Sequence, residues 1–454
     1  MGKVKYTISV ATGAAECLTA SGIVFGWSSI AYVLTKEGYM RQGCDSELSC
    51  DRQQAEQLAF IFTIATVVLN FSTYVNGWLL DNFGTRALRL LASALFLAGS
   101  VLMVVATPET SILIYPAMCC FGVGGIQLLT SNIQLGGLFP ASISSIICGI
   151  SGAMDSSSVL FVLVKILYDF GVSLQTSFLF ISTFTVFQLV RTFFLMPADR
   201  VPQTLPRGYD YGVCSKASGD VLPVVSDVTE SEEPEKAQMS FIDCLRELPF
   251  WLNCFQLSVL QLLNFIYMGS LNAQLSTMAA FTGGYLNIFG ICQSFGIFFA
   301  PLNGALADRL TSHFAAAEKV TEREVKCRAV GISSAVTFGL ALAFSVCRAV
   351  PFIEAQYFTF LLQVVFRSFM YGANANFLAT FYPSEHFGKL FGVTLTVGAA
   401  VGLLQFPAYA WIMGAPQMHE VFRIVNAISV LMTLATFVHP LYLLREGYAK
   451  SECS

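Results

Sequence analysis

The sequence predicts an all-α membrane protein of twelve transmembrane helices in two six-helix bundles, with both termini cytoplasmic. Three observations carry this. The 454-residue chain is 55% hydrophobic and only 12% charged, more apolar surface than a soluble domain of that length could cover. Apolar runs long enough to span a bilayer recur from end to end. A short pattern is also duplicated: Asn76-Gly77 is followed by Asp81, and Asn303-Gly304 by Asp308, each copy closing the second apolar run of its half. Duplication at that distance is the mark of a membrane domain built from two repeats.

Apolar runs place spans near 8–34, 58–80, 87–107, 112–134, 143–167 and 174–196, then near 249–276, 285–306, 328–347, 355–381, 388–412 and 421–445. The chain thus divides into an amino-terminal bundle (1–196), a linker (197–248), a carboxy-terminal bundle (249–445) and a short tail (446–454). The linker contains Pro202, Pro206 and Pro234 and the acidic residues Glu230, Glu232, Glu233 and Glu235, a composition that favours a flexible connection. Residues 241–248 are read as a short interfacial helix.

Orientation follows from the positive charges. Lys3, Lys5, Arg86, Arg89, Arg200, Arg207, Lys216, Lys236, Arg246, Arg309, Lys319, Arg323, Lys326, Arg328, Lys389, Arg445 and Lys450 fall on one side, which is therefore cytoplasmic. Lys36, Arg41, Arg52 and Arg348 fall on the other, with Arg423 assigned there less firmly. The first external loop, 36–57, carries Cys44 and Cys50, a candidate disulfide in an oxidising compartment. The sequon at Asn70 lies inside the second span and reads as a chance match.

Several functions are excluded. Net charge is −4 and no basic patch carries interleaved aromatics, so nucleic acid is not an expected partner. The four histidines are scattered without metal-ligand spacing, and no phosphate loop, zinc helix or nucleophile elbow occurs. No enzyme activity, metal or cofactor is expected. The expected partners are the lipid bilayer and a small-molecule substrate; oligomeric state is not legible.

Charges inside spans point to function, because each needs a cavity or a partner. Glu16 lies in the first span, Asp155 and Lys165 in the fifth, and Arg367 in the tenth. Lys165, near a span end, reads as a snorkelling side chain. Asp155 and Arg367 share mid-depth and could pair across the halves, as a structural lock, a gate or a substrate contact; structural and functional readings weigh equally. Ser158 follows Asp155 by one helical turn. Glu16 leans towards a polar anchor, yet stays among the candidate substrate residues.

Amides and phenols form the second set: Gln127 and Asn132 in the fourth span, Gln261, Asn264 and Tyr267 in the seventh, Gln293 in the eighth, and Tyr371 and Asn374 in the tenth. An amide offers a donor and an acceptor together, which suits a planar, neutral, polar ligand. Interhelical hydrogen bonding is the competing explanation for any one of them.

The duplicated stretch suggests a gate. Asp81 and Asp308, helped by Arg86 or Arg309, would sit against helix N-termini of the opposite half and hold the cytoplasmic side closed. A charged cap at the membrane edge is the alternative.

Twelve spans, a long central loop and the doubled Gly-x-x-x-Asp pattern resemble the major facilitator superfamily. Phe25-Gly26-Trp27, Gly124-Gly125-Ile126, Met154-Asp155-Ser156-Ser157-Ser158, Lys165-Ile166-Leu167-Tyr168, Arg191-Thr192-Phe193 and the run from Tyr382 to Gly392 resemble solute carrier family 43. That family has an amino acid branch and an equilibrative nucleobase branch, and the Asp-Ser-Ser-Ser run is similar to the latter. The resemblance implies sodium-independent, facilitated diffusion of purine nucleobases (adenine, guanine, hypoxanthine) across the plasma membrane by alternating access. It supports Glu16, Asn132, Asp155, Arg367 and Asn374 as matching polar positions. The rival expectation is facilitated transport of large neutral amino acids, whose zwitterions Arg367 and Asp155 could serve.

Overall fold

The computed structural model describes residues 2–41, 47–139, 143–199, 201, 209, 211, 239–278, 282–316, 321–383 and 386–448, and among them every regular element is helical. The first half contains α1 (limbs Val4–Ser21 and Ile23–Lys36), α2 (Cys50–Leu80), α3 (Asn82–Val105), α4 (Ser111–Leu138), α5 (limbs Ile143–Ser156 and Val159–Asp169) and α6 (Leu174–Phe194). The second half contains α7 (Leu248–Ser276), α8 (limbs Gly283–Gln293 and Gly296–Ala315), α9 (Glu322–Ala349), α10 (Ala355–Phe381), α11 (Phe387–Gly414) and α12 (Met418–Tyr448). Among the described residues nine helices are long and apolar enough to cross a membrane, and eleven if each bent pair counts as one. The helix outside that set is α10, which is 27 residues long but carries Gln363, Arg367, Asn374 and Asn376. The short helix Phe241–Arg246 precedes α7, and the Ser240 side chain caps it by accepting from the Asp243 N–H.

Two helices, α1 and α8, are sharply bent where the sequence predicts continuous spans, and α5, α6, α11 and α12 are interrupted over one or two residues. The limbs of α1 meet at 47° and those of α8 at 43°. Before its break α1 widens into a π-helical turn, Cys17–Ser21, and then tightens into a 3-10 turn, Ile23–Gly26. Close approach makes Gly22 necessary here. A Cβ on it would stand 2.5 Å from the Met154 carbonyl oxygen and 2.8 Å from Ser157 Oγ, so α1 rests backbone-to-backbone on α5. The chain turns from α2 into α3 at Gly84, just inside α3, at φ 79°, a conformation that glycine adopts without steric cost.

The two halves meet along α5 and α8, along α2 and α11, and along α1 and α7. One buried apolar cluster runs through this seam, from Phe25 and Phe62 of the first half to Phe265 and Met268 of the second. We call the end that carries residues 36–57 the loop end, and the opposite end the terminal end. At the terminal end the first residues after α6 fold back on their own half: Thr85 Oγ1 donates to the Asp199 carbonyl at 2.9 Å, and the Tyr211 hydroxyl to Ser9 Oγ at 2.9 Å. Cys50 is disulfide-bonded, whereas Cys44 lies outside the described residues.

Candidate functional site

The breaks in α1, α5 and α8 converge, and the Asp-Ser-Ser-Ser run is what joins them. Ser157 Oγ accepts the Gly22 N–H at 2.8 Å, tying the α5 break to the α1 break. Ser156 Oγ crosses between the halves. It donates to the Ser294 carbonyl at 2.8 Å and accepts the Ile297 N–H at 3.0 Å, which serves backbone groups freed by the α8 break. Ser158, the candidate of the three, bonds weakly to the Asp155 carbonyl at 3.4 Å. The run was legible as a motif. That its first two hydroxyls belong to helix breaks was not, because the breaks carry no proline.

Asp155 and Arg367 meet at this convergence. Arg367 Nη2 lies 3.0 Å from Asp155 Oδ1, with the guanidinium 1% exposed and the carboxylate 13%. The guanidinium also lies over the Phe25 ring, 4.0 Å from its centroid, and Phe25 in turn stacks on Phe265 at 6.0 Å. From Arg367 a chain of amides crosses the second half. Arg367 Nη1 approaches Gln293 Oε1 at 3.5 Å, Gln293 Nε2 donates to Gln363 Oε1, and Gln363 Nε2 donates to Asn264 Oδ1 at 2.8 Å. Three sequence candidates, Gln293, Asn264 and Arg367, therefore form one connected network with Asp155. Tyr371, half-buried on α10, packs at the edge of the same core.

The remaining candidates lie elsewhere. Gln261 Nε2 donates across the seam to Asn70 Oδ1 at 3.1 Å, so the asparagine of the apparent sequon is a buried interhelical partner. Gln127 Nε2 donates to Asn76 Oδ1 at 3.0 Å, inside the first half. Asn374 accepts from Asn253 at 2.6 Å and donates to Thr394 at 3.2 Å, inside the second. Tyr267 is enclosed by Phe289 and Phe344 in edge-to-face contacts.

Glu16 and Asn132 belong to a separate, fully buried knot. Arg89 is bonded to both Glu16 oxygens, at 2.9 and 2.5 Å; Arg191 Nη1 pairs with Oε2, and Asn132 Nδ2 donates to that oxygen at 2.8 Å. Arg89 also donates to Thr192 and Ser131, at 2.9 and 3.0 Å. This corrects the placing of Arg89 among the cytoplasmic loop charges, for it has no exposure at all. Its backbone lies near the start of α3, but a long arginine side chain reaches into the bundle. Helices α7, α9 and α12 hold a neutral counterpart: Ser334 Oγ donates to Gln256 Oε1 at 2.8 Å and His439 Nδ1 contacts the same oxygen at 2.6 Å.

Lys165 also needs correction. Rather than snorkelling, its ammonium is 1% exposed and bonds Asp169 at 3.0 Å and, across the seam, Asn287 Oδ1 at 2.8 Å. Tyr32 lies beneath it, 4.6 Å from ring centroid to Nζ, and Lys36 sits over the same ring at 4.5 Å. A cation about one turn from the helix end was taken for a lipid-edge charge; α8 of the other half covers it instead.

The expected gate is placed as follows. Arg86 is half-buried against Phe193, with its backbone N–H on the Ala198 carbonyl, within its own half. Asp308 and Arg309 are exposed, and neither forms an ion pair among the described residues. The Asp81 side chain and residues 140–142 lie outside what is described.

A sequence model described as the Major Facilitator Superfamily matches residues 17–404. The chain belongs to that superfamily. It is a multi-pass membrane transporter and not an enzyme. Among curated proteins it is 38% identical to equilibrative nucleobase transporter 1 of Bos taurus, over 97% of this chain and 96% of that one, which places the transporter in that protein's branch. It is 25% identical to large neutral amino acids transporter small subunit 3 of Homo sapiens, over 95% and 92% of the two chains. Among solved structures, a crystal structure of the peptide transporter POT in complex with alafosfalin aligns with a TM-score of 0.60 at 12% identity, over 98% of this chain and 95% of that one, a likeness of fold alone.

Proposed function

We propose that this transporter carries neutral purine nucleobases, adenine, guanine and hypoxanthine among them, across the plasma membrane by sodium-independent facilitated diffusion. The observation that carries the reading is the 38% identity to a nucleobase transporter along nearly the whole chain, against 25% to an amino acid transporter. The site chemistry supports it. An amino acid zwitterion needs an anion and a cation of its own, but Asp155 and Arg367 are engaged with each other at 3.0 Å. Freeing them would leave two buried charges unpaired until substrate arrived, which is costly. A neutral base makes no such demand. It can exchange hydrogen bonds with Gln293, Gln363 and Asn264 and stack on Phe25.

In this reading the termini and linker are cytoplasmic, and the halves 1–196 and 249–445 rock about the site. The loop end faces outside, where Lys165 and Asn287 close it. Asp81, Arg86, Asp308 and Arg309 would act at the cytoplasmic mouth in the opposite state. Radiolabelled adenine and leucine offered to the same transfected cells test the proposal. Adenine uptake that survives replacement of sodium supports it; leucine uptake without adenine uptake overturns it in favour of the amino acid reading.

A further inference from the structure

Among the described residues four arginines are fully buried: Arg89, Arg191, Arg348 and Arg367. Arg89 and Arg191 share Glu16, and Arg367 has Asp155. Among the described residues Arg348 has no carboxylate. Its Nε donates to Asn426 Oδ1 at 2.8 Å and its Nη1 to the Leu263 carbonyl at 3.3 Å, both neutral acceptors, and Nη2 donates to nothing. The titratable groups that face it are two phenols, Tyr267 on α7 and Tyr409 on α11. The Tyr409 hydroxyl is spent on the Phe265 carbonyl at 2.7 Å, whereas the Tyr267 hydroxyl, also buried, has no partner. The guanidinium lies over the Tyr267 ring, 5.6 Å from its centroid.

The C-terminus of α7 does not balance this charge: the side chain reaches Leu263, thirteen residues before the end of α7 at Ser276, which at 1.5 Å per residue is about 20 Å from it. The last turn of α9, in which Arg348 lies, offers the partial charge of backbone carbonyls and no full anion. A guanidinium that cannot be deprotonated is thus held in the interior with an unused N–H, over a tyrosine whose hydroxyl is also unused. The guanidinium can only donate and the phenol can donate as well, so one anion could serve both.

We propose that Arg348 and Tyr267 bind a small monovalent inorganic anion of the chloride class inside the second half. Nη2 and the phenol donate to it, and its charge cancels that of the guanidinium. Enclosure by α7, α9, α11 and α12 selects for size, so chloride or bromide enters and gluconate does not. The anion is a structural partner of the folded transporter, independent of which substrate it carries.

Thermal unfolding of the purified full chain in detergent tests this, with sodium chloride titrated against sodium gluconate at constant ionic strength. The midpoint is expected to rise and saturate with chloride and to stay flat in gluconate, since an anion that binds only the folded state stabilises it. Tyr267→Phe keeps the ring and removes one donor, so the chloride concentration needed rises about tenfold. Arg348→Gln abolishes the response. Equal midpoints in the two salts overturn the proposal, as does a saturable chloride response that Tyr267→Phe leaves unchanged. The second outcome decides the matter even if Arg348→Gln fails to fold.

Discussion

The Lys165 ammonium lies 2.8 Å from the Asn287 side-chain oxygen, and this contact joins the two halves at the loop end. The same ammonium holds Asp169 at 3.0 Å, and Lys36 approaches that carboxylate at 3.9 Å, so one buried cation organises a small polar cap over the seam. A charge-assisted hydrogen bond of this kind contributes about 1.5–3 kcal/mol.

Removing the ammonium should therefore open the loop end. Gly283 lies beneath the cap, where a Cβ would stand 3.5 Å from Lys165 Nζ. A cysteine placed at Gly283 should react with a membrane-impermeant thiol reagent about tenfold faster when Lys165→Ala is added. Equal reaction rates would show that the cap does not hold the seam.

Asp155 and Arg367 should behave as a neutralised couple. Asp155→Asn or Arg367→Gln alone leaves a buried charge unpaired and should cost about 3–5 kcal/mol of stability. The double variant leaves no charge and should recover most of that loss. Thermal denaturation of the four forms as a double-mutant cycle measures the coupling; additive losses would refute it.

The knot at Glu16 should be less forgiving. Glu16→Gln strands two guanidinium groups, Arg89 and Arg191, at zero exposure. The expected result is a loss of folded protein larger than for Asp155→Asn, read as monodisperse yield after extraction. Comparable yields would place the stabilising charge of the first half elsewhere.

Gly22→Ala should fail for a steric reason. Its new methyl would meet the Met154 carbonyl oxygen at 2.5 Å, and backbone on both sides cannot yield cheaply. Ser157→Ala removes two hydrogen bonds at the same place, one accepted from the Gly22 N–H and one donated to the Met154 carbonyl, and should cost about 1–3 kcal/mol. A Gly22→Ala chain as stable as Ser157→Ala would mean that the α1 break can shift.

Much of this architecture is written in the apolar runs, because a span must bury its own backbone and its length is set by the bilayer. The pairing of Asp155 with Arg367 was legible as a possibility, since two mid-depth charges of opposite sign need partners. Three things were not. The breaks of α1, α5 and α8 depend on tertiary hydrogen bonds from Ser156 and Ser157, and no local signal announces them. Arg89 and Arg348 sit close to helix ends, so their backbone positions read as loop charges while their side chains point inward. Lys165 looked free because the residue that covers it, Asn287, lies 122 positions away. Sequence spacing locates a charge along its own helix; which neighbour faces it is decided by packing.

The two polar knots at the terminal end bear on how the halves deform. Both join the first, third and sixth helices of their half, but one is ionic, Glu16 with Arg89 and Arg191, and the other neutral, Gln256 with Ser334 and His439. Pulling the ionic knot apart strands buried charges, which is costly. The neutral knot loses hydrogen bonds that are cheaper to break. Two knots at equivalent places in the two halves therefore differ in what it costs to break them, and the cheaper one lies in the second half.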